Sequence, residues 1–215
     1  EQMTVADGAL REGLIQDLLG RIYNHDMRSI TVQSVTERYR TDKMHALRIK
    51  QTISLILKQL HGNCSWSNDV NGSQFLEWAA DLHEIGIDIA HSQYHKHSAY
   101  IIEHADLAGF STQDQILLAS IIRSHRRKFS LQLFNELPTP WNVSAPYLTV
   151  VLRLAVLLRR NRHDDELPSF KITIANFKIN LKFPDSWLSQ SPLTHADLIQ
   201  EAEYLKSAGF TFEFA

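Results

Sequence analysis

The chain reads as a mainly α protein: a helical bundle followed by a small α+β domain of about three strands and one or two helices. Three observations point there. Over the first two thirds, apolar residues recur three and four positions apart, the spacing of a buried helical face. After Leu167-Pro168 the period drops to two, as in a strand with one face covered. The chain has only eight glycines in 215 residues, and most fall between periodic segments, where turns belong.

In order, the helical spacing covers 9–23, 28–39, 44–61, 74–83, 95–105, 112–124 and 145–160. Thr41 or Asp42 is placed to cap the third of these, Ser73 the fourth and Ser111 the sixth. Gly62, Gly72, Gly86 and Gly109 lie between helices. Pro138, Pro140 and Pro146 bracket a loop before the seventh helix, whose first turn tolerates Pro146. Beyond them, 170–174 and 177–183 alternate apolar and polar residues around Ala175-Asn176, which predicts a hairpin. Helical spacing returns over 193–206, Gly209 stops it, and 210–214 alternates again. The predicted divisions are 1–24 as a linking helix, 25–165 as the helical domain and 166–215 as the small α/β domain.

Composition narrows the class. Hydrophobic residues make up 44% and charged residues 21%, with a net charge of −2, which excludes disordered, collagen-like and coiled-coil chains. Uninterrupted apolar runs are short, 154–158 being an example, so no bilayer span and no membrane partner is expected. A lone cysteine, Cys64, cannot form an internal disulfide and suits a reducing, cytoplasmic setting. The chain opens Glu1-Gln2 without Met or a visible signal peptide, so a fragment is expected.

The small net charge hides an uneven distribution. Between Ile121 and Arg162 stand Arg123, Arg126, Arg127, Lys128, Arg153, Arg159, Arg160 and Arg162 against one acid, Glu136. Taking that +7 from a total of −2 leaves −9 for the rest. A local basic field of this kind suits an anion, or else it is a solvated face paired with acids from elsewhere. Arg153 and Arg160 are seven apart, two turns along one helix face.

Histidines are also in excess, eleven in all. Four end apolar stripes: His45 with Ile49, Ile53, Ile56 and Leu60; His83 with Leu76, Ala79 and Ala80; His97 with Tyr94 and Ile101; His125 with Leu118 and Ile121. Glu84 adjoins His83. If the helices form one bundle, neutral imidazoles and a carboxylate converge, and both donate lone pairs to a divalent metal. Taken singly, each reads as a hydrogen-bonded core histidine. His61, His91, His95, His104, His163 and His195 lack such stripes and read as surface or loop residues.

The segments AADLHEIG (79–86), HKHSAYII (95–102) and IIRSHRRK (121–128), with His45 upstream, resemble an HD-type phosphohydrolase domain. More specifically they are similar to the helical domain of the exopolyphosphatase / guanosine pentaphosphate phosphohydrolase family. GALREGLIQDLLGR (8–21) resembles the passage from that family's actin-like catalytic half into its helical half. LRLAVLLRRNR (152–162) and LKFPDSWLSQSPL (181–193) resemble its last long helix and its terminal α/β domain. The likeness implies an HD-like fold for 25–165 and a metal set of His45, His83, Glu84, His97 and His125. That set is incomplete: Glu84 stands where the pattern has Asp, and residues 148–163 hold no acid for its late carboxylate.

In that family the hydrolytic machinery and its Mg2+ belong to the N-terminal half. No Gly-rich phosphate loop or Walker pattern occurs here. The resemblance therefore implies the C-terminal region of an exopolyphosphatase, inactive alone and without a cofactor of its own. It would hold polyphosphate along the basic residues named above, dock on the actin-like half of the same protein and form a homodimer, with no nucleic-acid partner. The alternatives are the corresponding region of a guanosine pentaphosphate phosphohydrolase, an autonomous metal-dependent HD phosphohydrolase, or a purely structural dimer module. Trp66, Trp141 and Phe134 fall in expected loops as candidate interface aromatics.

Overall fold

Two of the long helices begin at side-chain caps that the sequence supplies. In the computed structural model, which describes residues 27–62, 66, 70–163 and 166–215, α1 (Met27–Arg38) leads into α2 (Lys43–Leu60). Asp42 caps α2 by accepting from the His45 N–H at 2.9 Å. α3 (Val70–Leu82) runs into a 3-10 turn (Ile85–Asp88), followed by α4 (Tyr94–His104) and α5 (Thr112–Ser124). Ser111 and Asp114 close a reciprocal capping box at α5. Then come the short α6 (Gln132–Asn135) and the central α7 (Trp141–Leu158). The helix expected over 9–23, the division at 1–24 and Cys64 lie outside the described residues.

α7 starts four residues before its expected position, because Pro138 O accepts from Trp141 N at 2.8 Å and opens the helix early. Pro146 thus sits inside the helix rather than in its first turn. Thirteen of the eighteen residues are buried, and α2, α3, α5 and α6 pack around it. By length and composition α7 is apolar enough to cross a membrane, which short uninterrupted runs did not suggest. Thr149 and Arg153 interrupt the runs, yet both are buried with their hydrogen bonds made inside the protein. A helix apolar on every side is here the core of a bundle.

The C-terminal layer is a three-stranded sheet in the order β1-β2-β3. β1 (Lys171–Ala175) pairs antiparallel with β2 (Lys178–Lys182), and β3 (Thr211–Phe214) pairs parallel with β2. The short α8 (Trp187–Gln190) and the longer α9 (Pro192–Lys206) make the crossover. The hairpin turn is Asn176-Phe177, one residue later than expected, with Ala175 opposite Lys178. Both turn residues have positive φ, 48° and 62°, the pairing that suits the twist of a two-residue hairpin. Phe177 is an unusual residue there, and its ring packs 4.9 Å from that of Phe210.

Ile172, Ile174, Ile179 and Leu181 line the covered sheet face, with Leu198 and Leu205 of α9 also buried. Gln59 of α2 ties bundle to sheet, donating to Phe170 O and accepting from Ile172 N. One buried apolar cluster is continuous through helices and sheet. The three aromatics expected in loops belong to this packing rather than to an exposed interface, and Phe134 and Trp141 lie in α6 and α7. Phe134 is fully buried, Trp141 stands edge-on to Phe75, and Trp66 stacks on Tyr147 at 5.2 Å.

Candidate functional site

The α2, α3 and α5 histidines meet beside the N-terminus of α2. His45 and His83 have ring centroids 6.0 Å apart, and His83 and His125 are 5.2 Å apart. One donor atom from each of His45, His83 and Glu84 lies within 4.8 Å of the others. His83 Nδ1 and His125 Nδ1 face the carbonyls of Ala80 and Ile122 at 2.8 and 2.6 Å. A carbonyl only accepts, so each Nδ1 carries the proton and each Nε2 keeps a lone pair. Those two Nε2 atoms, and His45 Nδ1, are buried without a hydrogen-bond partner among the described residues.

His97 does not join them. The buried stripe of α4 is His95, Ser98, Ala99 and Ile102, one residue off the expected Tyr94, His97 and Ile101. The cause is Gly86. A Cβ at that position would lie 2.3 Å from Tyr94 O, 2.4 Å from Ser98 N and 2.7 Å from the His97 Cβ. The 3-10 turn therefore presses backbone to backbone against α4, with Ser98 Oγ accepting from Gly86 N and donating to His83 O. That docking turns His95 inward, its ring 6.1 Å from His125, and leaves His97 half-buried. His95, expected at the surface, is only 4% exposed.

Burial keeps these rings neutral. It pulls His45, His83 and His95 down to about 4 and His125 well below its ordinary value. For His95 the Arg126 guanidinium adds to the effect, while at His45 the Glu84 carboxylate opposes it.

A cavity of about 450 Å³ opens onto this cluster, lined by His45, Glu84, Tyr94 and His125 on one side and by α7 and α9 on the other. Of the basic residues expected to line a channel, Arg126, Arg127, Arg153, Arg160 and Arg162 reach it. Arg126 is held over the Tyr94 ring at 4.6 Å. Arg127 sits exposed with φ 58°. Arg160 pairs with Asp197, and Arg162 with Asp42 and Glu84. Five arginines against Glu84, Asp197 and Glu201 leave the lining a surplus of two positive charges.

The other basic residues lie apart. Arg123 and Lys128 are exposed and do not line the cavity. Arg159 is buried and donates to Thr52 Oγ1 at 3.0 Å. Arg153 reaches the cavity wall but is 1% exposed, and its guanidinium is spent on Glu201, Ser124 O and Arg127 O. Both therefore serve the interior rather than a channel. Glu201, Asp197, Tyr94 and His91 were missed from the sequence. Tyr94 was read only as an apolar stripe residue and His91 only as a loop residue, and the two acids come from α9, 35 or more residues beyond the basic segment they meet.

The chain has recognisable relatives. A family model described as Ppx/GppA phosphatase, domain III, matches residues 27–202. A guanosine-5'-triphosphate,3'-diphosphate pyrophosphatase of Pseudoalteromonas translucida is 36% identical over 211 residues, 98% of this chain and 42% of the relative. Its namesake in Photobacterium profundum is 34% identical, covering 94% of this chain and 40% of that protein. The one in Aeromonas hydrophila is 34% identical, with 98% and 42% covered. The chain thus spans about two fifths of the length of these curated relatives.

Proposed function

Given that the chain belongs to the Ppx/GppA phosphatase family through its domain III, we propose that it is the polyanion-holding region of a phosphoanhydride hydrolase. Bond breaking, and the Mg2+ it uses, would reside in an actin-like half that precedes it. The observation that supports this reading is the cavity where Arg126, Arg127, Arg160 and Arg162 converge. It offers forked donors suited to phosphate oxygens.

Polyphosphate and guanosine pentaphosphate both fit a short cationic wall. The relatives' names weight the choice toward the nucleotide. Because Arg160 and Arg162 already hold carboxylates, Arg126 and Arg127 supply most of the net attraction. Homodimerisation is part of the same proposal, and α2 offers apolar surface for it in Met44, Leu47 and Leu55, 45 to 58% exposed.

The test is binding of guanosine pentaphosphate and of long-chain polyphosphate to this chain, titrated against salt. Affinity should fall linearly on logarithmic axes as counterions are released. Replacing Arg126 and Arg127 with Ala should lessen that slope by roughly 1.4, about 0.7 for each lost phosphate contact on a flexible strand. A flat salt response, or an unchanged slope in the double variant, would remove the cavity from the reading. Turnover of either compound by this chain alone would overturn the division of labour.

A further inference from the structure

A second cavity adjoins the arginine-lined one, and a single ion pair stands between them. Its volume is about 600 Å³, and it shares Leu157, Arg160 and Asp197 with the first. Arg160, just beyond α7, pairs with Asp197 of α9, so this pair belongs to both linings. The two linings differ in charge. The first carries a surplus of two positive charges, whereas in the second Arg159 and Arg160 are balanced by Glu166 and Asp197. The rest of the second lining is largely apolar, with Leu158, Leu167, Pro168 and Trp187. Trp187 is half-buried and its ring stacks on Phe183 at 4.6 Å. Phe183 is not part of the lining, so the cavity meets the opposite face of the indole. Apolar and aromatic walls with a few polar groups, in a volume of roughly 300–1,000 Å³, are the ordinary make-up of a small-molecule site.

We propose that this second cavity holds the nucleoside of a nucleotide whose phosphates lie in the arginine-lined cavity. The inference rests on the polyanion-holding reading and adds to it a place for the ligand's uncharged end. Charge decides which end goes where: the cationic lining suits phosphates, and the balanced, apolar one suits a base and sugar. Any nucleobase has a flat face that gains from stacking on an aromatic ring, and Trp187 offers one. Asn161 and Thr194 bring an amide and a hydroxyl to the same cavity, donors and acceptors for the polar edge of a base. Arg160 joins the two ends. Its Nη1 donates to Asp197, and a guanidinium has five N–H donors, so others remain for a phosphate oxygen. Inorganic polyphosphate has no uncharged end and gains nothing from the second cavity. The chain therefore distinguishes nucleotides from bare phosphate chains of the same length through residues outside its cationic wall.

The test is calorimetric binding of GTP and of inorganic tripolyphosphate, which carry the same number of phosphates, to this chain and its variants. Trp187→Ala should weaken GTP at least fivefold, the lower end of what stacking one base contributes, and leave tripolyphosphate as before. Trp187→Phe keeps an aromatic face and should retain most of the GTP affinity. Ala196 lines the cavity from an exposed position on α9, so Ala196→Phe fills the space without disturbing the core and should produce the same selective loss even if Trp187→Ala folds poorly. Unaltered GTP affinity in Ala196→Phe, or a loss shared equally with tripolyphosphate, overturns the proposal. So does an unaltered chain that binds tripolyphosphate but not GTP. An unaltered chain that binds neither removes the polyanion-holding reading itself, and this inference with it.

Discussion

At the scale of single residues, neutrality of the histidines makes acid the natural stress on this chain. Unfolded imidazoles take up protons below about 6.5, whereas His45, His83 and His95 in the fold resist until about 4. Between those values the unfolded state binds more protons, so stability rises with pH across the window and is lost as pH falls through it. Each such group contributes up to about 1.4 kcal/mol per pH unit. Urea melts should show a falling midpoint from pH 6.5 toward 4, and His83→Gln should flatten the dependence. A midpoint independent of pH would mean the rings are protonated in the fold. Three of the four stripe histidines were legible because each ends a long apolar run; His97 was not distinguishable from His95. On an eleven-residue helix, stripes through 94, 97, 101 and through 95, 98, 102 are equally good, and only the packing partner decides between them.

That partner acts at the scale of elements, through the 3-10 turn and α4. Gly86 is there because backbone must touch backbone, not because a turn needs positive φ. A methyl group placed 2.3 Å from Tyr94 O and 2.4 Å from Ser98 N has no flexible side chain to push aside. Gly86→Ala should therefore cost more than the usual overpacking penalty of about 1–3 kcal/mol, and it should push His95 away from His125. Thermal melts would register the first effect, and the second would appear as a shifted His125 imidazole resonance. A variant as stable as the parent would show that α4 can slide without cost. The long helices and all three strands were legible because each spans several periods of its pattern. α6 and α8 were not, since four residues cover about one helical turn and show no period. The hairpin register slipped by one for a related reason: alternation fixes which residues face inward, while turn geometry fixes where the chain reverses.

For the whole molecule, the basic segment shows what sequence proximity conceals. Its +7 looks unopposed along the chain, yet Asp42, Glu84, Asp197 and Glu201 return to meet Arg153, Arg160 and Arg162 across as many as 120 residues. Arg153 is the joint. From the middle of α7 it reaches Glu201 on α9 and, with its other donors, the carbonyls of Ser124 and Arg127 that end α5. It thereby locks the sheet layer to the bundle and fixes the backbone that presents His125 and Arg126 to the cavity. Glu201 is buried enough that its carboxyl is pushed up despite this partner, so the pair owes little net stability to its own attraction. Breaking it is another matter. Glu201→Ala strands a charged guanidinium in the core and should cost about 3–5 kcal/mol, whereas Arg153→Met with Glu201→Leu should recover most of that loss. Even when stable, the double variant should bind polyanions more weakly, because the Ser124 and Arg127 carbonyls lose the donor that holds them. Full recovery of both stability and binding would reduce Arg153 to filler; recovery of stability alone would mark it as the residue through which the terminal layer positions the site.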